Sequence, residues 1–243
     1  MVNFRVIAAL GAAVANQVVL GTPLPLPADE AAPAAAKVKV MPFGASIASG
    51  CWRAYLWQKL QDNNIKNIDF VGTQKGGDCA GIDYDRDHEG HPGAQAKEFV
   101  DNKSLPGWLN SSGNPDVILV HLGTNDVINK TPTADIIKAF STLVDQMRAA
   151  KSSVKIVFAQ ILPLADRFGS VAQKGITDLN KAIAVWGPTK STVISPITII
   201  DTTVGWNVTT DTDDGEHPNA VGSPKFAAKY YPATVAAIKS VST

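Results

Sequence analysis

Val117-Ile118-Leu119-Val120-His121-Leu122-Gly123-Thr124-Asn125-Asp126 is the stretch on which the fold reading turns. Its first four residues form an unbroken apolar run of strand length, as expected of a central strand covered on both faces. Working outward, β-branched runs at Val38–Met41, Ile68–Val71, Val154–Ile161 and Ile197–Asp201 read as further strands. Helical patterns lie between them at Arg53–Asn63, about Ala94–Val100, Ala134–Ala150 and Val171–Val185, with a last one from about Asn219 to Ile238. Strands alternating with helices belong to the α/β class, so a three-layer α/β/α sandwich around a five-stranded parallel sheet is expected. No internal repeat of 20–50 residues interrupts that order.

Composition fits one such domain plus a short N-terminal extra. The 243 residues are 45% hydrophobic and 18% charged, which argues against a disordered, collagen-like or coiled-coil chain. Lys+Arg and Asp+Glu both number 22, so no basic surface suggests nucleic acid, and a neutral substrate is expected. Outside the first 21 residues no apolar run is long enough to span a bilayer. Within them, Arg5 precedes Val6-Ile7-Ala8-Ala9-Leu10-Gly11-Ala12-Ala13-Val14-Ala15, which reads as a secretory signal peptide cut somewhere in residues 15–21. Residues 22–37 are rich in Pro and Ala and read as a linker or pro-segment, leaving 38–243 as the folded domain.

Export would put the two cysteines, Cys51 and Cys79, in an oxidising compartment, where pairing is expected; two separate buried thiols are the alternative. Asn102, Asn110, Asn129 and Asn207 each begin a glycosylation sequon, which a eukaryotic host would use. The localisation expected is therefore secreted, extracellular.

In open α/β sheets the ligand crevice lies beyond the carboxyl ends of the strands. Three of those ends carry chemistry. Pro42-Phe43-Gly44-Ala45-Ser46 places a serine on a turn just before a helix. Gly123-Thr124-Asn125-Asp126 offers an amide donor to a developing oxyanion, and Asp214-Gly215-Glu216-His217 offers a carboxylate that could orient an imidazole. Taken singly, each has an ordinary reading as a turn or helix cap. Together they fall at the ends of the first, third and fifth strands, where this fold brings side chains into one crevice.

These blocks, with Gly93 between them, resemble the SGNH (GDSL-type) hydrolases across nearly all of Val38 to Ile238. Met41-Pro42-Phe43-Gly44, Cys51-Trp52-Arg53-Ala54-Tyr55-Leu56-Trp57, Phe70-Val71-Gly72-Thr73 and Glu89-Gly90-His91-Pro92-Gly93 resemble carbohydrate esterase family 3, the acetylxylan esterase group. The resemblance implies a flavodoxin-like fold with Ser46 as nucleophile, His217 as base and Asp214 as its orienting partner. It further implies an oxyanion hole of the Ser46 and Gly93 backbone N–H groups and the Asn125 side chain. Two departures stand out: Ala45 replaces the usual Asp before the serine, and Ala94 follows Gly93 where the family often has Trp. The first is expected to weaken hydrogen bonding at the nucleophile turn, and the second puts the substrate preference in doubt.

Arg53, His91 and Trp206 are candidates for substrate contact. Trp52, Leu56 and Leu60 recur at helical spacing and are expected in the core. Asp83, Asp85, Asp87, His88, Glu89 and His91 match neither an EF-hand nor a helical zinc motif, so no metal and no cofactor are expected; a structural calcium, which some members of the resembled family carry, stays open. The expected substrate is an acetylated polysaccharide, most of all acetylxylan, handled by a monomer without nucleic acid or membrane. An esterase or lipase of other specificity and a carbohydrate-binding protein that has lost turnover are the rivals. An α/β-hydrolase fits less well, because its serine follows a strand well into the chain and its acid lies far from the histidine.

Overall fold

A computed structural model describes residues 1–2 and 36–242. The signal-peptide expectation and most of the linker lie outside the described residues. The strands are β1 (Val38–Gly44), β2 (Ile68–Phe70), β3 (Gln74–Lys75), β4 (Asp87–Gly90), β5 (Val117–His121), β6 (Lys155–Ala159) and β7 (Ile197–Ile200). The helices are α1 (Trp52–Asp62), α2 (Ala96–Asp101), α3 (Ser104–Ser111), α4 (Thr124–Ile128), α5 (Thr133–Ala150), α6 (Gly169–Lys190), α7 (Val208–Asp211) and α8 (Gly222–Lys239), with short 3-10 turns at Ile47–Ser49 and Asp166–Phe168.

The five expected strands pair in parallel in the order β2-β1-β5-β6-β7. Among the described residues the sheet nevertheless has seven strands, which corrects the expected five. β4 joins the far end of β1 through Phe43↔Glu89 and Gly44↔Gly90, and β3 pairs antiparallel with β4. Neither β3 nor Asp87-His88-Glu89-Gly90 carries the β-branched residues or alternation that mark a strand, so their pairing is decided by neighbours rather than by propensity.

β5 accounts for the layering. Ile118 and Val120 join a core with Phe99, Leu105, Ile136, Phe140 and Leu179 from α2, α3, α5 and α6. Val117 and Leu119 join the opposite core with Trp52, Leu56 and Leu60 of α1 and Phe226 and Tyr230 of α8. Successive side chains on a strand point to opposite faces, so an all-apolar strand needs cover on both. Trp52, Leu56 and Leu60 are fully buried as their spacing predicts, and the Trp52 ring stacks on Tyr230 at 4.6 Å. Cys51 at the head of α1 is bridged to Cys79. Among the described residues no helix is long and apolar enough to cross a membrane.

Candidate active site

Ser46 lies two residues past the last residue of β1, and its turn is held from several sides. The Ser46 carbonyl accepts from the Ser49 N–H at 3.0 Å and the Ser49 hydroxyl at 2.6 Å, and the Ile47 carbonyl accepts from the Trp52 indole N–H at 2.6 Å. Gly44 lets the strand end there: a Cβ on it would lie 1.9 Å from the His121 carbonyl of β5, so only glycine fits. Ala45 is buried in the apolar core on the α2 and α5 side.

The loop after α7 swings the other half of the constellation over Ser46. His217 Nε2 lies 2.7 Å from Ser46 Oγ, and His217 Nδ1 lies 2.7 Å from Asp214 Oδ2. The backbone N–H groups of His217 and Glu216 donate to Asp214 Oδ1 at 2.8 and 3.0 Å. Partial burial pushes the Asp214 carboxyl up, but the hydrogen bonds from His217 and Glu216 outweigh it and hold the group at about 2. The ionised carboxylate requires a proton on Nδ1, which leaves Nε2 free to accept from the Ser46 hydroxyl. Capping of the last helix falls to Asn219, whose side chain accepts from the Val221 and Gly222 N–H groups at the head of α8.

The other histidines are committed elsewhere. Burial and the nearby Arg53 charge hold His88 down at about 3, and burial does the same to His121, so both stay neutral across the working pH range. His91 Nε2 lies 2.6 Å from Glu89 Oε1.

The loop from His91 to Gln95 is pinned at both ends. On one side Glu89, fully buried, accepts from the Thr73 N–H at 2.7 Å and the Thr73 hydroxyl at 2.8 Å and holds His91, whose ring stacks on Trp108 at 4.0 Å. On the other, the Asn125 amide donates to the Ala94 carbonyl at 3.1 Å, and the buried Asp126 accepts from the Ala96 N–H at 2.9 Å at the head of α2. Burial raises the Asp126 carboxyl while those N–H bonds oppose it. Gly93, at the exposed turn, has φ +82°, a conformation side chains other than glycine rarely adopt. Among the described residues the Ser46 and Gly93 N–H groups have no hydrogen-bond partner, and Asn125 has a second amide hydrogen left to give. A cavity of about 470 Å³ opens beside this loop, lined by His91, Gly93, Ala94, Phe99, Asn102 and Trp108.

The three candidate contact residues separate. His91 lines that cavity. Arg53 does not reach it: its side chain is fully buried, donating to the Ser49 and Arg86 carbonyls at 2.8 and 3.1 Å, so it braces the nucleophile turn from below. Burial lowers its guanidinium, and the neighbouring Tyr84 opposes that. Trp206 packs against Phe226, ring centres 6.3 Å apart, with its indole N–H buried, and the 290 Å³ cavity that it lines contains none of Ser46, Asp214 and His217. The cavity beside the His91–Gln95 loop contains none of those three either, so the cavity linings favour neither tryptophan as a stacking surface; Trp108 is the one beside that loop. The sequon asparagines Asn102, Asn110, Asn129 and Asn207 are all exposed. Among the described residues no cluster of three or more His, Cys, Asp or Glu side chains could hold a metal, and Asp85 is occupied by the Phe70 and Asp87 N–H groups.

Asp126 and Glu216 escaped the sequence reading as site residues, and Glu89 entered it only among the residues weighed as a metal site. Glu89-Gly90-His91 and Asn125-Asp126 stood in blocks already singled out, but which side chain holds which loop depends on the pairing of β4 with β1.

Residues 43–223 match the model of the GDSL-like lipase/acylhydrolase family. The chain belongs to that family. Among curated proteins it is 29% identical over 234 residues to a multidomain esterase of Ruminococcus flavefaciens, covering 82% of this chain and 28% of that relative, so it spans little more than a quarter of the relative's length. Among solved structures, a carbohydrate esterase family 3 protein from Talaromyces cellulolyticus matches at 33% identity and TM-score 0.77, over 84% of this chain and 99% of that one. An acetyl esterase mutant with an acetate ion matches at 33% and 0.75 over the same shares, and the Clostridium thermocellum family 3 carbohydrate esterase at 26% and 0.73, over 85% and 100%. This family member thus falls beside carbohydrate esterases in sequence and in fold.

Proposed function

We propose that this chain is a secreted serine esterase that removes acetyl groups from a plant polysaccharide, acetylxylan first among them, without a cofactor. The single observation that carries the reading is the unbroken relay from Asp214 through His217 to Ser46, with both hydrogen bonds at 2.7 Å. Its likeness to an acetyl esterase supports the acyl group, and its likeness to a carbohydrate esterase family 3 protein supports the carbohydrate substrate.

In the mechanism, His217 Nε2 takes the Ser46 proton as Oγ attacks the ester carbonyl, and Asp214 steadies the imidazolium. The developing oxyanion is met by the Ser46 N–H, the Gly93 N–H and the free Asn125 amide hydrogen. The alcohol leaves with the proton from His217. Water, deprotonated by the same nitrogen, then releases acetate from Ser46. Ala45 removes no member of this relay, so turnover survives the departure from the family pattern. The N-terminal signal pattern and the Cys51–Cys79 bridge support secretion.

The test is acetate release from acetylated xylan by the mature protein beside Ser46→Ala, with a long-chain aryl ester for comparison. Release that vanishes in Ser46→Ala and exceeds turnover of the long-chain ester is expected. No Ser46-dependent hydrolysis of any ester would overturn the enzyme reading in favour of a binding protein.

A further inference from the structure

Glu216 stands between the two residues of the Asp214–His217 pair in sequence, and no step of the mechanism above uses its side chain. Its Oε1 lies 4.0 Å from His217 Nε2, the nitrogen that also faces Ser46 Oγ, and its side chain is only 13% exposed. Among the described residues the carboxylate has no hydrogen-bond partner, yet neither oxygen is sealed from solvent. The charged and titratable groups facing it are His217, Asp214 and Arg167. Arg167 is committed to the Asp214 backbone carbonyl. The loop therefore keeps an unpartnered acceptor at the reactive edge of the imidazole, although holding a half-buried carboxylate unpaired is costly.

The acyl-transfer chemistry says what comes to that edge. As the Ser46 Oγ–carbonyl bond forms and the ester C–O bond breaks, the departing alkoxide oxygen takes the proton from Nε2. That oxygen must come within hydrogen-bond reach of Nε2, about 2.6–3.2 Å. Glu216 Oε1, 4.0 Å from that nitrogen, is then within reach of a group on the adjoining carbon of the alcohol. On a monoacetylated sugar ring that group is a hydroxyl, a donor matched to a lone carboxylate.

We propose that Glu216 is a specificity-determining residue that accepts a hydrogen bond from the hydroxyl next to the acetylated position, favouring acetyl esters of vicinal diols such as sugar rings. The inference rests on the esterase reading above and names the alcohol half of its substrate. Burial raises the Glu216 carboxyl, with the His217 charge opposing, so the preference fades on acidification before Asp214 titrates.

The experiment compares kcat/KM of the wild type, Glu216→Ala and Glu216→Gln on acetylated xylan, on ethyl acetate and on 4-nitrophenyl acetate. Ethyl acetate needs the same proton from His217 but carries no vicinal hydroxyl, and the aryl ester needs little help in leaving. A hydrogen bond to a charged acceptor corresponds to about ten- to hundredfold, so Glu216→Ala is expected to lose that much more on xylan than on ethyl acetate, with Glu216→Gln, still a neutral acceptor, in between. Equal losses on xylan and ethyl acetate would assign Glu216 to the imidazole alone and overturn the proposal, as would no loss on either. A wild type that hydrolyses none of the three fails the esterase reading itself and takes the proposal with it, a result distinct from loss of selectivity in an active enzyme.

Discussion

Asn125→Ala separates the two jobs that one amide does. Its Nδ2 donates to the Ala94 carbonyl at 3.1 Å, which fixes the side chain and the Gly93 loop, and its other hydrogen is free for the oxyanion. Losing the first bond costs stability of about 0.5–1.5 kcal/mol, toward the lower end because the site is only half-buried. For a domain of this size that corresponds to a drop in Tm of about 1–6 °C. Loss of the second is felt only when charge has developed, at about 2.7–4 kcal/mol, or 10²–10³ in kcat. KM should therefore hardly move, because the ground-state ester makes little of that bond. Asn125→Asp keeps the shape but presents an anion to an anion, so its kcat should fall further than that of the Ala variant. The assay is steady-state hydrolysis of 4-nitrophenyl acetate with thermal melts on the same preparations. A loss in kcat below tenfold with the melting shift intact would show that Asn125 only pins the loop, and a loss confined to KM would refute the oxyanion role.

Two further outcomes follow from the geometry. Asp214 is depressed from 3.8 to about 2, so its favourable contacts with His217 are fully present above pH 3.8 and are lost as pH falls through about 2. An NMR titration of the Asp214 side-chain carboxyl should accordingly find it still ionised at pH 3, and a midpoint at the ordinary 3.8 would refute the hold of these hydrogen bonds on it. Removing the Cys51–Cys79 bridge, which closes a separation of 28 residues, should cost about 3–4 kcal/mol on the chain-entropy view. Urea unfolding of the Cys51→Ala/Cys79→Ala variant measures it, and a loss under about 1 kcal/mol would mean that the unfolded chain is already compact there.

The legible parts of the fold are those with a periodic apolar signal. Val117–Val120 and the Trp52-Leu56-Leu60 stripe announce buried faces because burial requires apolar atoms at fixed spacing. Gln74-Lys75 and Asp87–Gly90 do not, because they gain their strand geometry from the pairing of β4 with the end of β1 rather than from their own side chains. The same cause hid Glu89. A carboxylate in sequence reads as solvated, and its burial is tolerable only because Thr73 and His91, brought in by the sheet edge, satisfy it.

By itself the sequence determined the α/β class, the places of the five principal strands along the chain, the core stripe of α1 and which residue types stand at the ends of the first, third and fifth strands. Each depends on local spacing or on residue type at a strand end, and those are written one residue after another. Only the tertiary structure decided that Arg53 is buried beneath the nucleophile turn, that Trp206 packs against Phe226 while Trp108 meets His91, and that Glu216 stands 4.0 Å from the reactive nitrogen of His217. Those outcomes depend on which distant segments share a surface, and a side chain's burial, partner and charge state are properties of that shared surface rather than of its place in the chain.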